Sequence, residues 1–205
     1  MSGSSTDKIN VYARYAYKCL RANLDDWIEF RNCPDTQRSI THGFYNSVHS
    51  LTIPSGLISR KALDKKLETI EEGIKWEPCK DHCYSPQFVS RMILDNADLY
   101  LSHPWSSTDE ILPNQQKFIE IFLTCCTTIQ VTPEENQELS NLTKNNRGKE
   151  YSIKIPTDKK YQHLNIELLK RHEGNGWYNK PTDPVSNYIQ TPQELLDYEK
   201  QFLTE

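Results

Sequence analysis

Apolar side chains recur three and four residues apart along much of this 205-residue chain, a spacing that lines them up on one face of successive helices. Over residues 8 to 31 the apolar positions are Ile9, Tyr12, Ala13, Ala16, Leu20, Leu24, Trp27 and Ile28, with Arg14, Lys18 and Arg21 on the other side. Asn23, followed by Asp25 and Asp26, can cap a second helix, so a break near residue 23 is expected. Between Asn32 and Gly56 the pattern dissolves into Pro, Asp, Thr, Ser, Asn and Gly, which predicts loop with at most one strand around Val48 to Ile53. Ser59 then reads as the N-cap of a helix with Leu63, Leu67, Ile70 and Ile74 on its apolar side.

Ser85-Pro86 is a second helix start, because proline at the first helical position gives up only an amide that had no partner. Phe88, Val89, Met92 and Ile93 follow as its buried side, and another helix is expected from about Gln115 to Cys125. The sequence "TTIQVTPEEN" then predicts a strand over Thr127 to Val131 feeding a helix, with Thr132 as N-cap, Pro133 next and Glu135 completing a capping box. "KEYSIKIP" alternates apolar and polar residues and reads as a half-buried strand paired with the first. Thr157 and Asp158 start a helix through Leu164 and Leu168, and Thr191-Pro192-Gln193-Glu194 repeats the capping grammar ahead of Leu195 and Tyr198. The expected fold is α+β: a helix-dominated single domain with a small two- or three-stranded sheet. Residues 1–171 form its main unit, and 172–205 form a loop and a C-terminal helix packing on it.

Composition agrees with a folded chain, at 36% hydrophobic and 10% aromatic residues. The opening residues are small and polar, without the layout of a signal peptide, and no apolar run approaches the roughly 18 residues of a membrane span. A cytoplasmic location in the host cell, with no membrane partner, is the expectation. Six cysteines at irregular positions then read as thiols. The net charge of -4 argues against a globally basic nucleic-acid binder, yet the charge is uneven: Lys144 to His172 holds eight Lys/Arg against three acids.

Candidate chemistry concentrates in "EPCKDHCYSPQF", residues 77 to 88. Cys79 and Cys83 make one zinc knuckle, but a structural site needs a second and none is evident, so zinc is not expected. In metal-dependent nucleases a histidine activates water while carboxylates or an amide hold a divalent ion. On that pattern His82, Asp81 and Glu135 are the catalytic candidates, and Glu134 and Asn136 the candidate ligands of Mg²⁺ or Mn²⁺. The competing structural reading gives Glu134 and Glu135 to the helix start. Basic residues among aromatics suit phosphate contact and base stacking, which makes Arg14, Lys18 and Arg21, and Lys61 and Lys65, the nucleic-acid-binding candidates; the alternative is solvated helix surface. Arg38 and His42, four apart, are a further pair of the kind used by metal-free ribonucleases, in a segment with no evident helix. There is no Gly-rich phosphate loop of either common type.

The order "KDHCYSPQF", a helix, then "KFIEIFLTCCTTIQVTPEENQEL" resembles small uncharacterised proteins of large tailed phages, some of them described as candidate endonucleases. The matching positions are Asp81, His82 and Pro86, then Val131, Thr132, Glu134, Glu135, Asn136 and Leu139, over about residues 75 to 140. The resemblance implies a phage- or mobile-element-type protein acting on nucleic acid, as a divalent-metal-dependent nuclease. The rival expectation is a non-catalytic protein that binds a host or viral protein through exposed aromatics such as Trp105, Trp177 and Tyr178.

Overall fold

The computed structural model describes residues 5–105, 111–145, 151–171 and 189–203. The N-terminal periodicity becomes two helices, α1 (Ser5–Ala22) and α2 (Leu24–Phe30), broken at Asn23, whose side chain turns back to donate to the Cys19 carbonyl at 2.7 Å. The predicted loop that follows is instead a helix, α3 (Pro34–Ser50). Its apolar residues Ile40, Phe44 and Val48, all buried, keep a strict spacing of four; Arg38, Ser39, His42, Asn46 and Ser50 form its solvent face, while the buried Thr41 and Ser47 donate their hydroxyls to the Gln37 and Gly43 carbonyls. Gly43 sits where α3 crosses α1: a methyl there would lie 2.5 Å from Cys19 Sγ and 2.7 Å from Cys19 Cβ. Gly43→Ala should therefore cost roughly 1–3 kcal/mol in a thermal or urea melt, and a melt that does not move would show that the two helices have room to spare.

A four-stranded mixed sheet lies behind the helices in the order β2, β3, β1, β6. Its strands are β1 (Ile53–Ser59), β2 (Cys79–His82), β3 (Thr127–Val131) and β6 (Leu168–Lys170). β1 runs parallel to β3, while β2 and β6 run antiparallel to their neighbours. The β1–β3 register shifts between Pro54 and Ile58, where Pro54 withholds a ladder donor and Gly56 takes a positive φ of 79°. β1 leads into α4 (Arg60–Glu71), and β2 into α5 (Pro86–Asp95) and a short α6 (Ala97–Tyr100). α7 (Pro113–Cys126) runs without a loop into β3, and α8 (Pro133–Ser140) follows it. α1, α3, α5 and α7 pack against one another. Between them Phe44, Phe118 and Phe122 meet in edge-on and stacked pairs, with Tyr17 and Trp105 closing the cluster.

The architecture is the expected helix-dominated α+β, with more strands than the sequence suggested. The 151–155 strand does not join β3. It forms a separate ribbon, β4 (Thr143–Asn145) against β5 (Tyr151–Ile153). The helix expected from Thr157 to Leu168 stops early: a 3₁₀ turn over Thr157–Lys159 and α9 (Lys160–His163) end at Asn165, whose φ of 53° breaks the helix, and the chain re-enters the sheet as β6. α10 (Gln193–Lys200) packs on α5. Asp95 joins these elements, accepting from Trp27 Nε1 at 2.9 Å and from the Tyr198 hydroxyl at 2.5 Å. Trp105 belongs to the core rather than to an exposed aromatic surface, since its ring meets Tyr17 edge-on at 5.1 Å; Trp177 and Tyr178 lie outside the described residues. Among the described residues no helix is long and apolar enough to cross a membrane.

Candidate active site

The residues "CKDH" are a strand, β2, and that fact organises the site. Asp81 pairs with Ile129 and His82 with Thr128 across to β3. Asp81 and His82, neighbours in this strand, make different contacts at the same cleft. His82 Nδ1 meets the main-chain carbonyl of Cys125 at 2.9 Å. That carbonyl belongs to the last turn of α7, where helical carbonyls have no partner of their own. Donating to it fixes the imidazole with its proton on Nδ1 and leaves Nε2 as the ring nitrogen able to take a proton. The ring of His49, from the end of α3, stands edge-on to it with centroids 4.7 Å apart, and Tyr45 lies 4.1 Å from His49.

Both histidines line one cleft of about 420 Å³. Lys80 and Lys160 line it too, as do Asn136 and Ser140 from α8. The start of α5 opens on the same space through its N-cap Ser85 and through Gln87, so the positive end of a helix dipole faces it. Asp81, the cleft's one carboxylate among the described residues, accepts from Lys160 Nζ at 2.8 Å and from the buried Tyr161 hydroxyl. Lys160 also donates to the His82 carbonyl at 3.0 Å, which holds the end of β2 in place. Asp81 is thus a structural anion beside the histidine, not a free base.

Burial holds the His82 imidazole below the ordinary histidine value of 6.5, with the Cys125 carbonyl opposing and His49 adding to the effect. Desolvation lowers His49 as well. An unfolded chain therefore binds these protons more readily than the fold does. Their contribution to stability is complete above pH 6.5 and is lost as pH falls below it. Glu199, buried and held up by desolvation, contributes with the opposite slope, so the check is a difference: urea melts of wild type and His82→Gln at pH 7.5 and 5.5. The wild type should lose more stability on acidification than the variant; equal losses would mean that His82 titrates as it does in the unfolded chain.

The other predicted residues divide. Asn136 reaches the cleft, but Glu134 and Glu135 line a second hollow on the far side of α8, with Lys61 and Lys65. Glu135 is 3% exposed and is consumed by the capping box: its Oε2 accepts from the Thr132 amide at 3.0 Å and from Ser59 Oγ at 2.5 Å. Glu134 is exposed and is held below the usual carboxylate value by the amide of its own helix start and by Thr132. So the set expected to act together, His82 with Glu134 and Glu135, is split by α8, because residues one and two positions apart on a helix face different ways. Among the described residues no group of three or more His, Cys, Asp or Glu is placed to hold a metal ion. Cys79 and Cys83 are free thiols, the latter buried and pushed up to about 12 by desolvation.

The basic candidates also separate. Lys61 and Lys65 share their hollow with Asp64, Glu68, Glu134, Glu135 and Glu138, and Lys65 pairs with Glu68 at 3.7 Å, so they form no basic patch. Arg14 and Lys18 are exposed on α1, whereas Arg21 donates to the Leu101 carbonyl. Three residues of the cleft that carry charge or protons, His49, Lys80 and Lys160, are not among the site residues that the sequence suggests. His49 was hidden because α3 had read as loop, and Lys160 was one lysine within a basic run. The spacing Ile40, Phe44, Val48 was the signal that could have exposed α3, and with it the alignment of Arg38, His42, Asn46 and His49 on one outer face.

No family model, no curated protein and no solved structure matches this chain.

Proposed function

We propose that the protein is a nuclease of phage or mobile-element type, working in the host cytoplasm, with the His82 cleft as its active site. The observation that carries this is the fixed tautomer: His82 gives its Nδ1 proton to a helix-end carbonyl and keeps Nε2 for the cleft, beside a second imidazole and two lysines. A neutral, oriented imidazole is a general base at neutral pH. Lys80, held among the described residues only by Thr52 Oγ1 at 3.2 Å, and the positive end of the α5 dipole suit the charge of a phosphodiester. Purified protein should cleave labelled single-stranded RNA or DNA, or nick supercoiled plasmid, in reactions run with Mg²⁺, with Mn²⁺ and with EDTA. Absence of cleavage together with absence of salt-dependent binding ends this reading.

One feature supports a protein partner instead. Leu67, Ile70 and Ile74 continue the apolar stripe of α4 outward and are 51%, 62% and 55% exposed, more than a monomer's buried helix face calls for. In that case Leu67→Asp should abolish partner capture and leave His82→Ala without effect.

A further inference from the structure

The chemistry of the cleft separates two substrate classes. Its proton-transfer groups are two imidazoles 4.7 Å apart. Its one carboxylate among the described residues, Asp81, is already committed to Lys160 and Tyr161. Hydrolysis of a DNA phosphodiester must bring in and activate a water, the task that carboxylate-held metal ions perform in most nucleases. A ribonucleotide carries its own nucleophile next to the phosphorus, and such an intramolecular attack gains the advantage of proximity without any bound water. What remains is one base and one acid, and the cleft supplies both.

Resting on the nuclease reading above, we infer that the substrate class is RNA, cleaved by attack of the ribose 2′-hydroxyl with His82 as base and His49 as acid. His82 Nε2 takes the proton of the 2′-hydroxyl as the O2′–P bond forms. The P–O5′ bond breaks, and the leaving O5′ receives a proton from His49 in its protonated form, a fraction that desolvation reduces at neutral pH and that grows as pH falls. The products are a 2′,3′-cyclic phosphate and a 5′-hydroxyl, and no oxidant or further reactant is needed. Lys80, whose Nζ is held only loosely by Thr52 Oγ1 at 3.2 Å, is placed to meet the charge that builds on the phosphoryl oxygens. The outer face of α3 extends the site: Arg38, His42 and Asn46 are exposed and lead along the helix to His49 over about 16 Å at 1.5 Å per residue. A flexible single strand could follow that line of donors into the cleft.

The test uses four oligonucleotides of one sequence, each in EDTA, in Mg²⁺ and in Mn²⁺: all-RNA, all-DNA, DNA with a single ribose, and the same with that ribose 2′-O-methylated. The full-length protein is compared with His82→Ala and His49→Ala, purified identically to exclude contaminating ribonuclease. The all-RNA and single-ribose strands should be cut, the latter once, 3′ of the ribose, leaving a cyclic phosphate detectable by mass. The DNA and methylated strands should stay intact, and each variant should lose roughly 10²-fold or more in rate. Cutting of DNA, or cutting that needs Mg²⁺ or Mn²⁺ and leaves a 5′-phosphate, overturns the RNA inference; if His82→Ala still abolishes it, the cleft remains the active site. No cutting of any strand under any condition removes both.

Discussion

His82→Ala should lower the cleavage rate by roughly 10²–10⁴-fold, the range that general-base removal costs. The imidazole also caps the Cys125 carbonyl, so its loss should cost about 1 kcal/mol of stability as well. That second effect could be mistaken for the cause of the first. His82→Gln separates them, because it can offer an N–H to the same carbonyl and has no nitrogen that titrates near neutral pH. Both variants should be inactive and only the alanine measurably less stable. Added imidazole should restore part of the activity of His82→Ala, whose cavity opens on the cleft, and none to His82→Gln. A glutamine variant that cleaves at the wild-type rate would make the histidine a cap and nothing more.

The largest loss of stability should come from Glu135. Its carboxylate joins two helix starts: it accepts from the Thr132 amide at α8 and from Ser59 Oγ, and Ser59 itself caps α4 by accepting from the Ala62 amide at 3.1 Å. Ser59, Thr132 and Glu135 are all buried. Glu135→Ala leaves the Ser59 hydroxyl proton and the Thr132 amide without partners away from water, at about 1–3 kcal/mol each. We expect a loss of roughly 2–4 kcal/mol in urea unfolding, and about half of that for Glu135→Gln, which keeps one acceptor oxygen. Since Glu135 faces the hollow beyond α8 rather than the cleft, the glutamine variant should cleave at the wild-type rate. A Glu135→Gln protein that melts normally and fails to cleave would return this carboxylate to catalysis.

The split between cap and catalyst was only half legible in the sequence. "TPEE" states its capping grammar within four residues, and the structure uses it as written. Whether Glu134, Glu135 and Asn136 also face the histidine depends on the angle between α8 and the sheet, which local sequence does not encode. The helices with strong three-and-four spacing, α1, α5 and α7, were readable because a buried face imposes that period on the chain. α3 was lost to its composition: Pro, Asp, Ser, Asn and Gly on its outer and crossing faces outweighed a narrow apolar line through Ile40, Phe44 and Val48. β2 and β6 are too short, at four and three residues, to show an alternation of their own. The pairing of His82 with His49 joins two such elements, so it became visible only once both had folded.

The most direct measurement is two-bond ¹H–¹⁵N correlation of the histidine rings, recorded as a short uncleavable 2′-O-methyl oligonucleotide is titrated in. His82 should show the Nδ1-protonated tautomer before any ligand is added. On titration its Nε2 and the ring nitrogens of His49 should shift in a saturable, salt-dependent way, while His103 and His163, which do not line the cleft, stay in place. An Nε2-protonated His82, or saturable binding that moves other histidines and leaves His49 and His82 unmoved, would contradict the assignment of this cleft as the site where nucleic acid is bound and cut.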